Sequence, residues 1–319
     1  MSATTITRVR MGFLCALTMV ALAFVRAPLG AETTTTHPFV GVTYIDRIER
    51  TPRDVHMHIV QIDLTAPGIR FTSSPPAGRR EVIRQTTLSF LEQEHAQVAI
   101  NGHFFLPFPS EETDAWVIGL AASNGRVYSA FEPPEQNYAL LADAPAINID
   151  ADNRASIVHR DPSYADGLHV TEPVTLWTAL AGSAQVITDG AVTIPDYIDA
   201  EHPAARLTPG SPRRYANGNS WYDVVTARSV IGLSRDRRTL TMFTVDAKGD
   251  SAGMRVGEVA TFLIKDYGVW DAINIDGGGS TSLAMADPST GRGRLVNTSS
   301  DNPAGRLVAS SLAVFARTR

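Results

Sequence analysis

Cysteine is almost missing from this chain of 319 residues: the only one, Cys15, lies near the N-terminus. The rest of the chain holds no disulfide, no thiolate metal ligand and no cysteine nucleophile. Lysine is nearly as scarce. Only Lys248 and Lys265 occur, so almost all positive charge is arginine. A long apolar run is lacking too. Residues 11–25 are uncharged and mostly apolar, but too short for a comfortable membrane span. With Arg8 and Arg10 before it, this stretch reads as a secretory signal over residues 1–31. Cleavage is expected after Ala31 or, alternatively, after Ala27; an uncleaved anchor is the rival reading. No lipobox surrounds Cys15. Export without disulfides fits a bacterial periplasmic or secreted protein large enough to be held by its core. Removing residues 1–31, with three Arg and no acid, takes the formal net charge from −5 to −8. That sign argues against bulk binding to nucleic acid or anionic membrane.

What is present is mostly strand. Residues 32–39, with four consecutive threonines, read as a flexible leader, and 40–319 as one domain. Residues 55–64 alternate, placing His56, His58, Val60, Ile62 and Leu64 on one face. Asn124-Gly125 and Asp189-Gly190 each separate two short apolar runs, the mark of a type I′ hairpin. A third hairpin is expected to turn through residues 235–238. Two helices are legible: 87–94, capped by Thr86 or Thr87, and 255–267, closed by Gly268. Many strands and few helices predict an α+β, largely antiparallel fold. The irregular stretch 195–221 is read as a loop on the substrate side.

The most informative run is Asp276-Gly277-Gly278-Gly279-Ser280-Thr281, at the end of the apolar strand 272–275. Three adjacent glycines are entropically costly, remove every Cβ from the path of a ligand, and can turn their N–H groups into an anion-binding nest. A P-loop would need Lys where Ser280 stands. A dinucleotide fingerprint needs a spaced third glycine, and a nucleophile elbow a closing one; both are lacking. Other polar residues also sit at strand ends: Asn101, Gly102 and His103; Arg228 in an apolar strand; Asp246 with Lys248; Asn297, Asp301 and Arg306. An arginine in such a strand needs an acidic partner or an anionic ligand. Pairing of Arg228 with Asp246 across the hairpin is the bland expectation.

In this order the segments 99–105, 227–232, 245–246, 274–281, 296–301 and 306–308 resemble the phosphodiester glycosidase family, over roughly residues 40–316. The resemblance implies hydrolysis of the bond between a sugar C1 and a phosphodiester, with the matched residues lining one cleft. Two departures stand out. Asp246-Ala247-Lys248 replaces the usual Asp-Gly-Arg, and His103 follows Asn-Gly where the family tends to have a small residue. The chemistry can be argued separately. A phosphomonoester leaves easily, its second pKa being about 6. Demand therefore shifts from protonating the leaving group to stabilising its charge. Arg228, Lys248, Arg306 and the amides of Gly277, Gly278 and Gly279 suit that task, with Ser280, Thr281 and Asp301 beside them. A carboxylate must still support the oxocarbenium-like centre or activate water. Asp276 is the first choice and Asp246 the second. His103 would move a proton, and Asn101 would orient sugar hydroxyls or the Asp276 carboxylate.

No cofactor is expected, with a structural Ca²⁺ left open. His56 and His58 share a strand face suited to Zn²⁺, but no third ligand stands at a telling spacing, so no metal is assigned. The expected partner is a carbohydrate or phosphosugar, such as an envelope or capsular glycan. Two rival functions remain: a glycan-binding protein without turnover, and a metal-dependent phosphodiesterase.

Overall fold

The structure, a computed structural model, describes Met1 and residues 31–132, 144–194 and 222–319. The body of the expected signal and the loop 195–221 lie outside these residues. The backbone of the fold is an eight-stranded antiparallel sheet. Its spatial order is Glu32–Phe39, Val42–Glu49, Val55–Asp63, Thr239–Val245, Arg228–Ser234, Val269–Ile275, Ala184–Thr188 and Ala191–Val192. Two five-stranded antiparallel sheets and a small three-stranded one pack around it. The predicted strand-rich α+β class holds.

Local chemistry explains the elements. Asn124 and Gly125, at φ +49° and +79°, join Ala121–Ser123 to Arg126–Ser129. Asp189 and Gly190, at +52° and +74°, join Ala184–Thr188 to Ala191–Val192. Positive φ at both positions matches the right-handed twist of the flanking strands. Helix α1, Thr87–Glu94, begins at Thr86, whose hydroxyl accepts the Ser89 N–H at 3.0 Å. Helix α2, Val256–Tyr267, ends at Gly268 with φ +63°. No helix among the described residues is long and apolar enough to cross a membrane.

One expectation fails at the N-terminal side. Glu32–Phe39 is no loose leader but an edge strand, paired with Val42–Glu49 from Glu32↔Ile48 to Phe39↔Val42. Its threonines are β-branched and suit a half-exposed pleated edge, which a reading based on polarity overlooks. The final strand is also shorter than the pattern 306–316 predicts, spanning Ser311–Phe315.

The middle strands are buried on both faces. Val230, Phe243, Val245 and Ala272 meet Val256, Val259, Ala260 and Leu263 of α2. Ile231, Leu233, Met242 and Ile273 face Phe90 and Leu91 of α1 and Ile100, Leu283 and Leu312 of a second sheet. Such strands read as continuous apolar runs until they reach the sheet edge, where polar residues can appear. At one edge the Asp246 N–H donates to His56 O (3.0 Å) and the Gly278 N–H to Ala227 O (2.8 Å). The ends of four strands, at His56, Asp246, Ala227 and Asp276, are thereby aligned. Leu263→Ala, which empties the fully buried seat of α2 on the sheet, is expected to lower unfolding free energy by about 2–5 kcal/mol, read from a urea midpoint.

Candidate active site

The glycine turn is held from beneath by Asn101, which is fully buried. Its Nδ2 donates to the Asp276 carbonyl at 2.6 Å. Its Oδ1 accepts the Ser282 N–H at 3.0 Å and the Ser229 hydroxyl at 2.8 Å. Both ends of the turn are fixed by one amide side chain. Gly102 adds a backbone support, its carbonyl accepting the Asp276 N–H at 3.1 Å. A Cβ on Gly102 would come within 2.5 Å of Ser310 Oγ and 2.6 Å of Leu180 Cδ1, so nothing larger fits. Asn101 and Gly102 therefore position the turn from below rather than orienting sugar hydroxyls.

Above the turn lies a cavity of about 200 Å³ lined by Asp276, Ser280, Arg306 and the apolar wall Phe104, Phe105, Leu106, Phe108 and Ile118. Gly278–Ser280 forms a single 3₁₀ turn. A Cβ on Gly279 would meet Arg306 Nη2 at 2.2 Å and Cζ at 2.6 Å. The absence of a side chain there is what admits the guanidinium. Arg306 is fixed on its other sides. Its Nε donates to Asp301 Oδ2 at 2.8 Å and its Nη1 to Ser280 Oγ at 3.3 Å, while Cζ sits 4.8 Å from the centre of the Phe108 ring. Asp276 is 9% exposed. Burial pushes its carboxyl up to about 7, opposed by the Ser280 hydroxyl, the Arg306 charge and the Gly277 N–H. Desolvation outweighs three favourable neighbours, leaving a carboxyl poised near neutrality beside a cation.

Asp246 and Lys248 lie elsewhere. They line a second cleft of about 220 Å³ with His56, Asp250, Ser251 and Thr298. Asp246 Oδ2 accepts the Thr298 N–H at 3.0 Å and stands 3.3 Å from His58 Nε2. Where one cleft was expected, the two aspartates line different cavities among the described residues. The Asp276 cavity is lined from the 276–280 turn, the 104–108 loop and Arg306. The Asp246 cleft opens between the starts of other loops. Arg228 is fully buried and lines neither pocket. Its Nε donates to Met254 O at 3.1 Å and its Nη2 to Val224 O. Burial draws it down to about 10. Alternation along its strand turns it with Val230 towards the α2 side. The proton-moving role expected of His103 also fails. The residue is fully buried, with Nδ1 2.7 Å from Ser310 Oγ and Nε2 3.0 Å from both Leu120 O and Ala181 N. Burial lowers it to about 4. It is a neutral cross-link between sheets.

Sequence reasoning missed the apolar wall, although the run Phe104-Phe105-Leu106-Pro107-Phe108 after a strand was a visible signal. It also missed Tyr44 and Asp46. These stand on the strand next to His56 and His58, with Asp46 opposite His58 in register. Asp46, His56 and His58 place possible ligand atoms within 4.8 Å of one another.

A glycine turn at the end of an antiparallel sheet, a buried carboxyl and a clamped guanidinium thus meet in one cavity. A family model described as phosphodiester glycosidase matches residues 94–315. The chain belongs to the phosphodiester glycosidase family. No curated protein sequence matches it significantly. Among solved structures it is similar to the catalytic domain of zebrafish N-acetylglucosamine-1-phosphodiester alpha-N-acetylglucosaminidase, auto-inhibited by its pro-peptide. That match has 20% identity and a TM-score of 0.58, covering 91% of this chain and 89% of that one. A hypothetical protein from Synechocystis matches at 15% identity and TM-score 0.58, over 91% of this chain and 69% of that one. A protein from Burkholderia pseudomallei K96243 matches at 13% and 0.60, over 92% and 99%. At these identities the likeness concerns the fold.

The raised Asp276 carboxyl has a signed consequence for stability. Between its unfolded value near 3.8 and about 7 the folded state holds a proton that the unfolded state has lost. Stability therefore falls as pH rises through that window. Asp276→Asn removes this slope. Urea titrations should find the variant more stable than the parent at pH 8, by something on the order of a few kcal/mol, and close to it at pH 4.

Proposed function

We propose that this protein is an exported bacterial glycosidase, periplasmic or secreted. It hydrolyses the sugar C1–O bond of a sugar-1-phosphate diester, on an envelope or capsular phosphosugar glycan. The observation that carries the reading is the Asp276 carboxyl, poised near neutrality, in one cavity with the Arg306 guanidinium. Family membership supports the reaction class. The signal-like segment 1–31 supports export.

In this mechanism the phosphate of the substrate lies against Arg306 and the glycine turn, and the sugar lies on the wall of Phe104, Phe105 and Phe108. The C1–O bond breaks and its electron pair goes to the phosphate oxygen. Arg306 matches that developing charge with N–H donors held in place by Asp301 and Ser280, so little reorganisation is needed. Water adds to C1, and its proton passes to the Asp276 carboxylate. Asp276 acts ionised, whether it activates the water or supports positive charge at C1. The sugar leaves as a reducing end and the phosphate as a monoester.

The test is release of reducing sugar from a panel of sugar-1-phosphate diesters in ¹⁸O water. Label in the sugar is the expected result. Label in the phosphate would instead mark a phosphodiesterase, and a thermal shift that saturates without turnover would mark a binding protein. Asp276→Asn is expected to lower kcat by about 10²–10⁴-fold, and Arg306→Ala by about 10²–10³-fold. Because the ionised form of Asp276 works, kcat/KM should rise with pH through about 7. A rate that is flat from pH 5 to 9 would remove Asp276 from the chemistry.

A further inference from the structure

The second cleft carries an arrangement that the glycosidase reading does not use. Tyr44, Asp46, His56, His58 and Asp246 converge from three adjacent strands. Their hydrogen bonds limit where each proton can sit. The Tyr44 phenol carries its proton at neutral pH, as tyrosine ordinarily does. That O–H donates to Asp46 Oδ2 at 3.3 Å. With the O–H on Asp46, the phenolic oxygen accepts from His58 Nδ1, 2.9 Å away; with the O–H turned to Nδ1 instead, the ring hydrogen sits on Nε2 and donates to Asp246. In the first of these tautomers His58 Nε2 presents a bare lone pair. It points at Asp246 Oδ2, another acceptor, 3.3 Å away.

His56 repeats the pattern. Its Nε2 lies 2.7 Å from Asp46 Oδ1 and donates to it. Its Nδ1, the lone-pair nitrogen, is 3.8 Å from the same Asp246 Oδ2. Two imidazoles are turned by one outer carboxylate, and both present lone pairs to one inner carboxylate. The inner one is pinned by the Thr298 N–H at 3.0 Å. Its other oxygen, Oδ1, is buried and has no hydrogen-bond partner. In that tautomer three acceptors repel one another in a site where Asp246 and His58 are 1% and 0% exposed. A cation among them converts that repulsion into bonding.

The two spacings from Asp246 Oδ2 suit such an ion. Ligands about 2.0–2.2 Å from a tetrahedral metal stand roughly 3.3–3.5 Å from each other, close to the 3.3 and 3.8 Å observed. Outer carboxylates that fix the ring orientation of metal-binding histidines are the usual second layer of such sites. Two imidazoles with one carboxylate select zinc-like ions over calcium or magnesium.

We propose that His56 Nδ1, His58 Nε2 and the Asp246 carboxylate bind a divalent ion of the zinc class. Asp46 and Tyr44 are its orienting groups, and a further coordination position is open to the cleft beside Lys248. Sequence spacing alone hides this site, because the third ligand comes from a strand 188 residues away from His58. The site is distinct from the Asp276 cavity and stands whether or not that cavity cleaves phosphodiesters.

The experiment is calorimetric titration of the purified, chelator-treated and dialysed protein with ZnCl₂, with bound zinc counted by atomic emission. A single equivalent is expected. His56 is partly exposed, so His56→Ala should keep the fold, checked by circular dichroism, and lose zinc affinity by more than tenfold. Asp46→Asn and Tyr44→Phe, which leave every ligand in place, should weaken binding by about 10–100-fold. Co²⁺ in place of Zn²⁺ should give visible bands that His56→Ala abolishes. Absence of zinc uptake by the parent protein overturns the proposal. So does unchanged affinity in folded His56→Ala.

Discussion

One buried amide holds the candidate active site together. Asn101 uses its donor on the Asp276 carbonyl and its acceptor on the Ser282 N–H and the Ser229 hydroxyl. It joins a strand of one sheet to both ends of the glycine turn at the edge of another. A turn with three glycines has little conformational preference of its own. Without the amide there would be no reason for Asp276 to face a cavity rather than solvent. The neighbouring Gly102 can approach closely because it has no side chain, and its carbonyl fixes the Asp276 N–H. The order of the site is therefore borrowed from the buried interface between sheets.

That placement has a cost, and the cost is visible in Asp276. A carboxyl with a hydroxyl, a backbone N–H and a guanidinium as neighbours would ordinarily titrate low. Here burial wins, and the group moves up to about 7. The same apolar wall that desolvates it, Phe104 to Phe108, supports Arg306 through the face of Phe108. Desolvation and the clamping of the cation are thus two results of one loop. Holding a carboxylate in this way gives up stability above the pH where it ionises.

Much of this was legible from the sequence because it is local. The Asn-Gly and Asp-Gly turns, the Thr86 cap, the Gly268 stop and the alternation through His56 and His58 each depend on a few neighbouring residues. The Asp-Gly-Gly-Gly-Ser run was informative for the same reason: only a turn that something must approach closely needs it, and Arg306 over Gly279 is that approach. What was not legible depends on register and direction. Arg228 and Asp276 come to the same sheet edge, since Ser229 pairs with Ile275. Strand alternation nevertheless sends the arginine towards Met254 and the helix side. Asp246 stands one position beyond Val245, which pairs with Arg228, yet its carboxylate meets two histidines of a third strand. His103 looked reactive because it follows a strand beside Asn-Gly. Its partners, Ser310, Leu120 and Ala181, are scattered over the chain and consume both ring nitrogens. The threonine-rich edge strand was misread because polarity was weighed above β-branching.

The two clefts are separate in lining but share a support. Asn297 binds the Leu283 N–H at 2.7 Å and the Thr281 carbonyl at 3.2 Å, tying the segment 297–306 to the strand after the glycine turn. The next residue, Thr298, gives its N–H to Asp246. The segment ends in Arg306, which reaches Ser280 and, through Asp301, closes on itself. Asp246 therefore does for the start of this segment what Ser280 does for its end. Neutralising Asp246 would weaken the acceptor for the Thr298 N–H and release one anchor of the arm that carries the cation of the other cleft. Placement of the guanidinium is then a property of the whole 297–306 segment rather than of Arg306 alone. Asp246 and Asp276, from separate family-like segments, thus line two pockets that share one support.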